Sequence, residues 1–176
     1  DFNSAGAVYD YYQVMLLGIP NLADSLEAVH QLVYKEKRYT LEQLVHQLEN
    51  DYPDEAFRLD FVNKAPKFGN DLEAVDKYAH FVVKTLDDEG KKYKDGRGGE
   101  LTTVWATQSY NVVLGRMIGA TPDGRHAFTA MADNVSPMIG MDTNGPTAVV
   151  NSVNSADSTI PQSGMLLNQR LQSNYF

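Results

Sequence analysis

TPDGRHAFTAMADNVSPMIGMDTNGPTAVVNSV, Thr121 to Val153, crowds backbone constraints into one stretch. Pro122-Asp123-Gly124 is a turn with a mechanism: proline fixes φ, aspartate bonds its own backbone, and glycine accepts a positive φ. Ser136-Pro137 pushes Ser136 toward an extended conformation. Asn144-Gly145-Pro146-Thr147 is a second turn, and the apolar Ala148, Val149, Val150 and Val153 follow at once. Two readings fit: a packed, irregular wall of the kind that lines ligand sites, or an ordinary pair of surface turns.

Outward from this stretch the pattern changes. On its N-terminal side, Leu101 to Val113 is rich in Thr, Val, Trp and Tyr, which favour strand. A strand there places Ala106, Gln108 and Tyr110 on one face and Trp105, Thr107 and Ser109 on the other. Asp87 to Gly99 is polar, holds Gly90, Gly96, Gly98 and Gly99, and reads as a mobile loop. Before it, Asp71 is expected to cap a long helix burying Leu72, Val75, Ala79, Val82, Val83 and Leu86.

Residues 1 to about 90 read as short amphipathic helices. Val8, Tyr11, Tyr12, Met15 and Leu16 predict a helix from about Ser4 to Leu17, ended by Gly18-Ile19-Pro20. The next runs from about Leu22 to Lys37. Thr40 with Gln43 forms a capping-box pattern, and Pro53-Asp54 starts a further helix. On the C-terminal side, Ala148 to Asn154 is helix or strand, with a helix favoured because Pro146 suits a first helical turn. Met165 to Leu171 reads as a short strand.

The chain has 176 residues, enough for one domain with a sizeable core. A hydrophobic share of 43% with 22% charged residues suits a globular domain. The net charge of -8 argues against nucleic acid, and no apolar run is long enough to span a membrane. With no cysteine in the sequence, a thiolate nucleophile and a disulfide are both excluded within it. The start at Asp1 is read as a fragment or a trimmed chain.

The candidate chemistry is sparse. His30, His46, His80 and His126 are scattered, with no carboxylate at metal spacing, so no metal site is expected. Asp87, Asp88 and Glu89 read as a solvated helix end. Asn134, Ser136, Asn151 and Ser152 are expected to be turn and cap partners rather than nucleophiles. Trp105 reads first as core packing, then as a pocket wall.

Five stretches taken together are more specific. PKFGND at Pro66 to Asp71, TPDGR at Thr121 to Arg125, ADNVSP at Ala132 to Pro137, GMDTNGPTAVVNSV at Gly140 to Val153 and GMLLNQRL at Gly164 to Leu171 resemble, in order and spacing, segments of the glycyl radical enzymes, the pyruvate formate-lyase-like family. IPNLADSLEAVHQLVY, Ile19 to Tyr34, is similar to a helix upstream of them. The pieces look more like the glycerol and diol dehydratase, choline lyase and arylacetate decarboxylase branch than like the enzyme that cleaves pyruvate.

The resemblance implies an α/β fold, part of a ten-stranded α/β barrel. Residues 1–176 would be a segment of a single barrel domain, helical to about residue 90 and built of strands and irregular turns from about residue 100. It implies a parent lyase that cleaves a C–C, C–O or C–N bond of a small substrate. A protein glycyl radical, installed by a separate S-adenosylmethionine-dependent iron-sulfur activating enzyme, starts that reaction through a cysteine thiyl. No cysteine and no RVSGY-like radical loop occur here, so the segment is expected to lie between the two catalytic loops and to be inert alone. No catalytic residue is carried over. Trp105, Ala106 and Gln108 are the candidate substrate contacts, with Ala106 near a position where some dehydratase relatives place a tyrosine. The implied partners are the rest of the parent polypeptide, the radical-SAM activating enzyme and a small-molecule substrate, in a cytoplasmic homodimer without nucleic acid or membrane. The alternative is a non-catalytic binding or assembly module derived from the same fold.

Overall fold

A computed structural model describes residues 11–171 other than 97 and 108. The chain enters as strand β1, Tyr11–Met15, and returns beside it as β2, Glu100–Val104. The two run parallel, with Tyr11 opposite Glu100 and Met15 opposite Val104. Parallel strands need a long crossover. Here it holds α1 (Ile19–Val29), α2 (Leu41–Glu49), α3 (Glu55–Asn63) and α4 (Glu73–Gly90). Helices α5 (Tyr110–Gly115) and α6 (Pro146–Ser155) follow β2.

The helix expected over residues 4–17 is corrected from Tyr11 on, and residues 4–10 lie outside the described residues. Its apolar spacing is equally open to a strand, and pairing with β2 decides: Leu16 N–H donates to the Val104 carbonyl at 2.9 Å. Gly18-Ile19-Pro20 starts a helix rather than ending one. Gly18 is the N-cap of α1 and Pro20 sits in its first turn, where a missing N–H costs nothing. The helix continues as a π-helical turn over His30–Lys35.

Two apolar clusters hold the helices. Ile19, Ala23, Phe68, Val75, Ala79, Val83, Trp105 and Val135 join α1, α4 and β2. Leu32, Leu44, Tyr52, Phe57 and Phe61 gather α2 and α3, with the Phe57 and Phe61 rings stacked at 5.0 Å between centroids. The capping box forms as expected: Gln43 N–H donates to Thr40 Oγ1, and Thr40 N–H to Gln43 Oε1. Thr40→Ala should cost about 1 kcal/mol, read as a lower urea midpoint with an unchanged m-value.

Three further expectations are corrected. Asp71 is not the cap of α4. That position belongs to Leu72, while Asp71 takes φ 57° and donates its N–H to Ser152 Oγ. Asp87 to Gly90, expected to open a loop, are the last turn of α4, with Asp87 and Gly90 buried. The strand expected to Val113 stops near Trp105, because among the described residues strand partners are found only up to there; Tyr110 begins α5. Of the strand expected over 165–171, only Met165 pairs, in a parallel bridge with Trp105. The α6 helix agrees with the favoured reading.

The described residues thus form an α/β arrangement, helix-rich, with two strands.

Candidate functional site

The described parallel pair ends at Met15 and Val104, and ligands of parallel α/β sheets bind beyond such carboxyl ends. Trp105, Ala106 and Thr107 continue from that end of β2. Trp105 is fully enclosed in the core cluster, and its N–H and carbonyl pair with Gly164 and Leu166. Ala106 is half-buried and Thr107 fully buried. Gln108 lies outside the described residues.

Behind this end stands ADNVSP. Asp133 Oδ1 accepts from Thr107 Oγ1 at 2.9 Å, and its Oδ2 accepts from Asn168 Nδ2 at 2.6 Å. Asn134 Oδ1 accepts from the Thr107 N–H, and Ser136 Oγ accepts from the Asn168 N–H at 2.9 Å. The Val135 N–H reaches the Leu166 carbonyl. GMLLN, Gly164 to Asn168, is thereby held alongside β2 by Ser136, expected only as a turn or cap partner, and by Asp133, which was not singled out.

TPDGR is a wall, not a surface turn. Thr121 and Arg125 pair across it, and Asp123 and Arg125 are buried. Asn21 Nδ2 donates to Asp123 Oδ2 at 2.6 Å, Ser25 Oγ accepts from the Asp123 N–H, and Lys67 Nζ donates to the Asp123 carbonyl at 2.8 Å. The Arg125 guanidinium donates to the carbonyls of Gly119, His126 and Thr129. PKFGND therefore meets TPDGR directly, although 56 residues separate Lys67 from Asp123.

Asp24 was not singled out in the sequence. It is almost completely buried, Oδ1 accepts from the Phe68 N–H at 2.7 Å, and Oδ2 has no hydrogen-bond partner among the described residues. It lines a cavity of about 130 Å³ with Arg58, Lys67, Asp123 and Met138. Burial pushes its carboxyl up to about 7, against the pull of the Lys67 charge. The ionised form is thus disfavoured in the folded state. Its stability contribution is complete below the ordinary carboxylate pKa and is lost as pH rises to about 7. Asp24→Asn keeps the Oδ1 acceptor and removes the titration. Relative to the native protein, it should gain roughly 3 kcal/mol between pH 5 and pH 8, measured by urea unfolding. An unchanged difference would show that Asp24 does not titrate in this window.

The histidines are ordinary. His30 contacts Glu27 at 3.2 Å and His126 contacts Asp51 at 3.1 Å, both partly exposed. Among the described residues no group of side chains is arranged to hold a metal ion, and no helix is long and apolar enough to cross a membrane. Asn151 and Ser152 do not cap a helix: they sit within α6 and tie it to the start of α4, Asn151 Nδ2 donating to Asp71 Oδ2 and Ser152 Oγ to Asp76 Oδ2.

The comparisons with known proteins agree with this geometry. The chain is similar to the glycerol-bound B12-independent glycerol dehydratase of Clostridium butyricum, with 40% identity and a TM-score of 0.89 over 93% of this chain and 21% of that one. It is similar to a probable dehydratase, YbiW, of Escherichia coli, 38% identical over 94% of this chain and 22% of the relative. It is 33% identical to trans-4-hydroxy-L-proline dehydratase of Clostridioides difficile over 97% of this chain and 22% of the relative. The chain thus spans about a fifth of the length of these curated relatives. Residues 131–176 match a glycine radical family model and residues 1–115 the pyruvate formate lyase-like model. On that match the chain belongs to the pyruvate formate lyase-like family of glycyl radical enzymes.

Proposed function

We propose that these residues form a section of barrel wall in a glycyl radical lyase, with a dehydratase-like parent that cleaves a C–O, C–N or C–C bond of a small substrate. The observation that carries this reading is the likeness to the glycerol dehydratase over 93% of the chain. The family match supports this chemistry, and the carboxyl end of the described strand pair, where ligands of parallel sheets bind, supports a meeting point there. In that reading the end of β2 faces the substrate. Ala106 and Gln108 are the contacts, and Trp105, fully enclosed in the core cluster, fixes the wall they stand on.

A protein glycyl radical supplies hydrogen-atom abstraction to such an enzyme. The sequence holds no cysteine to relay it and no RVSGY-like segment, so we assign the thiol and the radical glycine to other parts of the parent polypeptide. A separate radical-SAM activating enzyme installs the radical, and the parent is a cytoplasmic homodimer. This chain's own contribution is to shape the cavity, exclude water and hold the strand end in place.

The test is anaerobic activation of the intact parent, followed by electron paramagnetic resonance and product analysis. A glycyl signal with consumption of glycerol, propane-1,2-diol or trans-4-hydroxy-L-proline is expected. Failure to form any glycyl signal would favour the second reading, a non-catalytic module, for which the lack of cysteine is the motive.

A further inference from the structure

Asn134 combines three features that rarely meet in one residue. It is fully buried, it holds φ at 55°, and its Nδ2 finds no acceptor among the described residues. A left-handed conformation and an unsatisfied buried donor both cost stability, and such costs concentrate where function needs a fixed geometry. The only use of the Asn134 side chain seen among the described residues is its Oδ1, which accepts the Thr107 N–H. That N–H belongs to the residue at which β2 has left its ladder and no longer has a strand partner.

We propose that Asn134 is a positioning residue for the substrate-facing end of β2. Its side chain takes the place of a neighbouring strand for the Thr107 peptide, and so sets the direction of Ala106 and of the chain beyond it. Asp133 and Asn168 reinforce the hold through the Thr107 hydroxyl and the Asp133 carboxylate. The left-handed backbone matters because it lets consecutive side chains, Asp133 and Asn134, both reach Thr107. A polar substrate group is the natural acceptor for a nearby donor, but the proposal does not need Asn134 to touch substrate. It rests on the dehydratase-like reading only for the word "substrate"; the structural claim about Thr107 stands apart from it.

Three forms of the intact polypeptide separate the possibilities: native, Asn134→Gly and Asn134→Asp. Glycine relieves the backbone cost and removes the acceptor; aspartate keeps the acceptor. Hydrogen–deuterium exchange across residues 103–107 is the first readout. Asn134→Gly should speed exchange at the Thr107 amide by at least tenfold while distant core amides stay protected, and Asn134→Asp should restore most of the protection. Equal exchange in native protein and Asn134→Gly would overturn the proposal. For whichever of glycerol, propane-1,2-diol or trans-4-hydroxy-L-proline the activated native enzyme consumes, Asn134→Gly should lower kcat/KM by tenfold or more. The glycyl radical yield should be unchanged and Asn134→Asp should recover part of the loss. Full kcat/KM in Asn134→Gly would likewise overturn it. Failure of the native enzyme to consume any of the three counts against the dehydratase reading, and the exchange result still decides the role of Asn134.

Discussion

Asn70→Ala should lower stability by roughly 3 to 5 kcal/mol, among the largest effects of any single side-chain truncation in the chain. Asn70 is almost fully buried. Its Nδ2 donates to the carbonyls of Lys67 and Met141, at 3.0 and 2.7 Å. Its Oδ1 accepts from the N–H groups of Thr143 and Asn144, at 2.8 and 2.9 Å, and from Thr143 Oγ1. Alanine leaves the Asn144 N–H and the Lys67 carbonyl without a partner, while the Thr143 N–H and the Met141 carbonyl keep each other at 3.1 Å; each orphan shielded from water costs about 1 to 3 kcal/mol. Water entering from the adjoining groove, about 430 Å³ and lined by Pro66, Asn70, Gly140 and Thr143, recovers part of that. Asn70→Asp keeps the acceptor half and should fall between the native protein and alanine. The measurement is the urea midpoint of all three, and an Asn70→Ala loss below about 1 kcal/mol would mean that the turn into α6 does not depend on this clamp.

Gly69→Ala is expected to be comparably severe for a different reason. Gly69 sits at φ 93°, and an added Cβ would come within 2.2 Å of Pro137 Cγ and 2.8 Å of Pro137 Cβ. Left-handed backbone costs an L residue about 1 to 2 kcal/mol. Overpacking against a ring that cannot rotate away adds about 1 to 3 kcal/mol. The sum is roughly 2 to 5 kcal/mol. Gly164→Ala is the control, because Gly164 has a similar φ of 88° and nothing within 4 Å of its Cβ position. The difference between the two variants isolates the contact between PKFGND and ADNVSP. Equal losses would remove Pro137 from the explanation.

The site was legible only in part. Trp105 and Ala106 were expected in the middle of a strand reaching Val113, but β2 ends at Val104 and they follow its carboxyl end. Asp24 gave no signal because a single acid on an amphipathic helix looks like any exposed one. Its burial comes from Phe68 and Lys67, 43 or more positions away. Asn134 was readable as a turn residue and Asp133 only as part of ADNVSP, yet nothing local says that both side chains reach back to Thr107. Proteins that bury a polar residue in this way do it through contacts that sequence spacing does not record.

The turns, the Thr40 cap, the α6 start at Pro146 and the order of the motifs follow from the sequence alone. Each rests on interactions within a few residues, where proline rings, side-chain caps and glycine act regardless of the rest of the chain. The strand at Tyr11–Met15, the early end of β2 and the burial of TPDGR were decided by tertiary structure. A backbone hydrogen bond to a residue about ninety positions away outweighs the few tenths of a kcal/mol that separate local preferences for helix and strand.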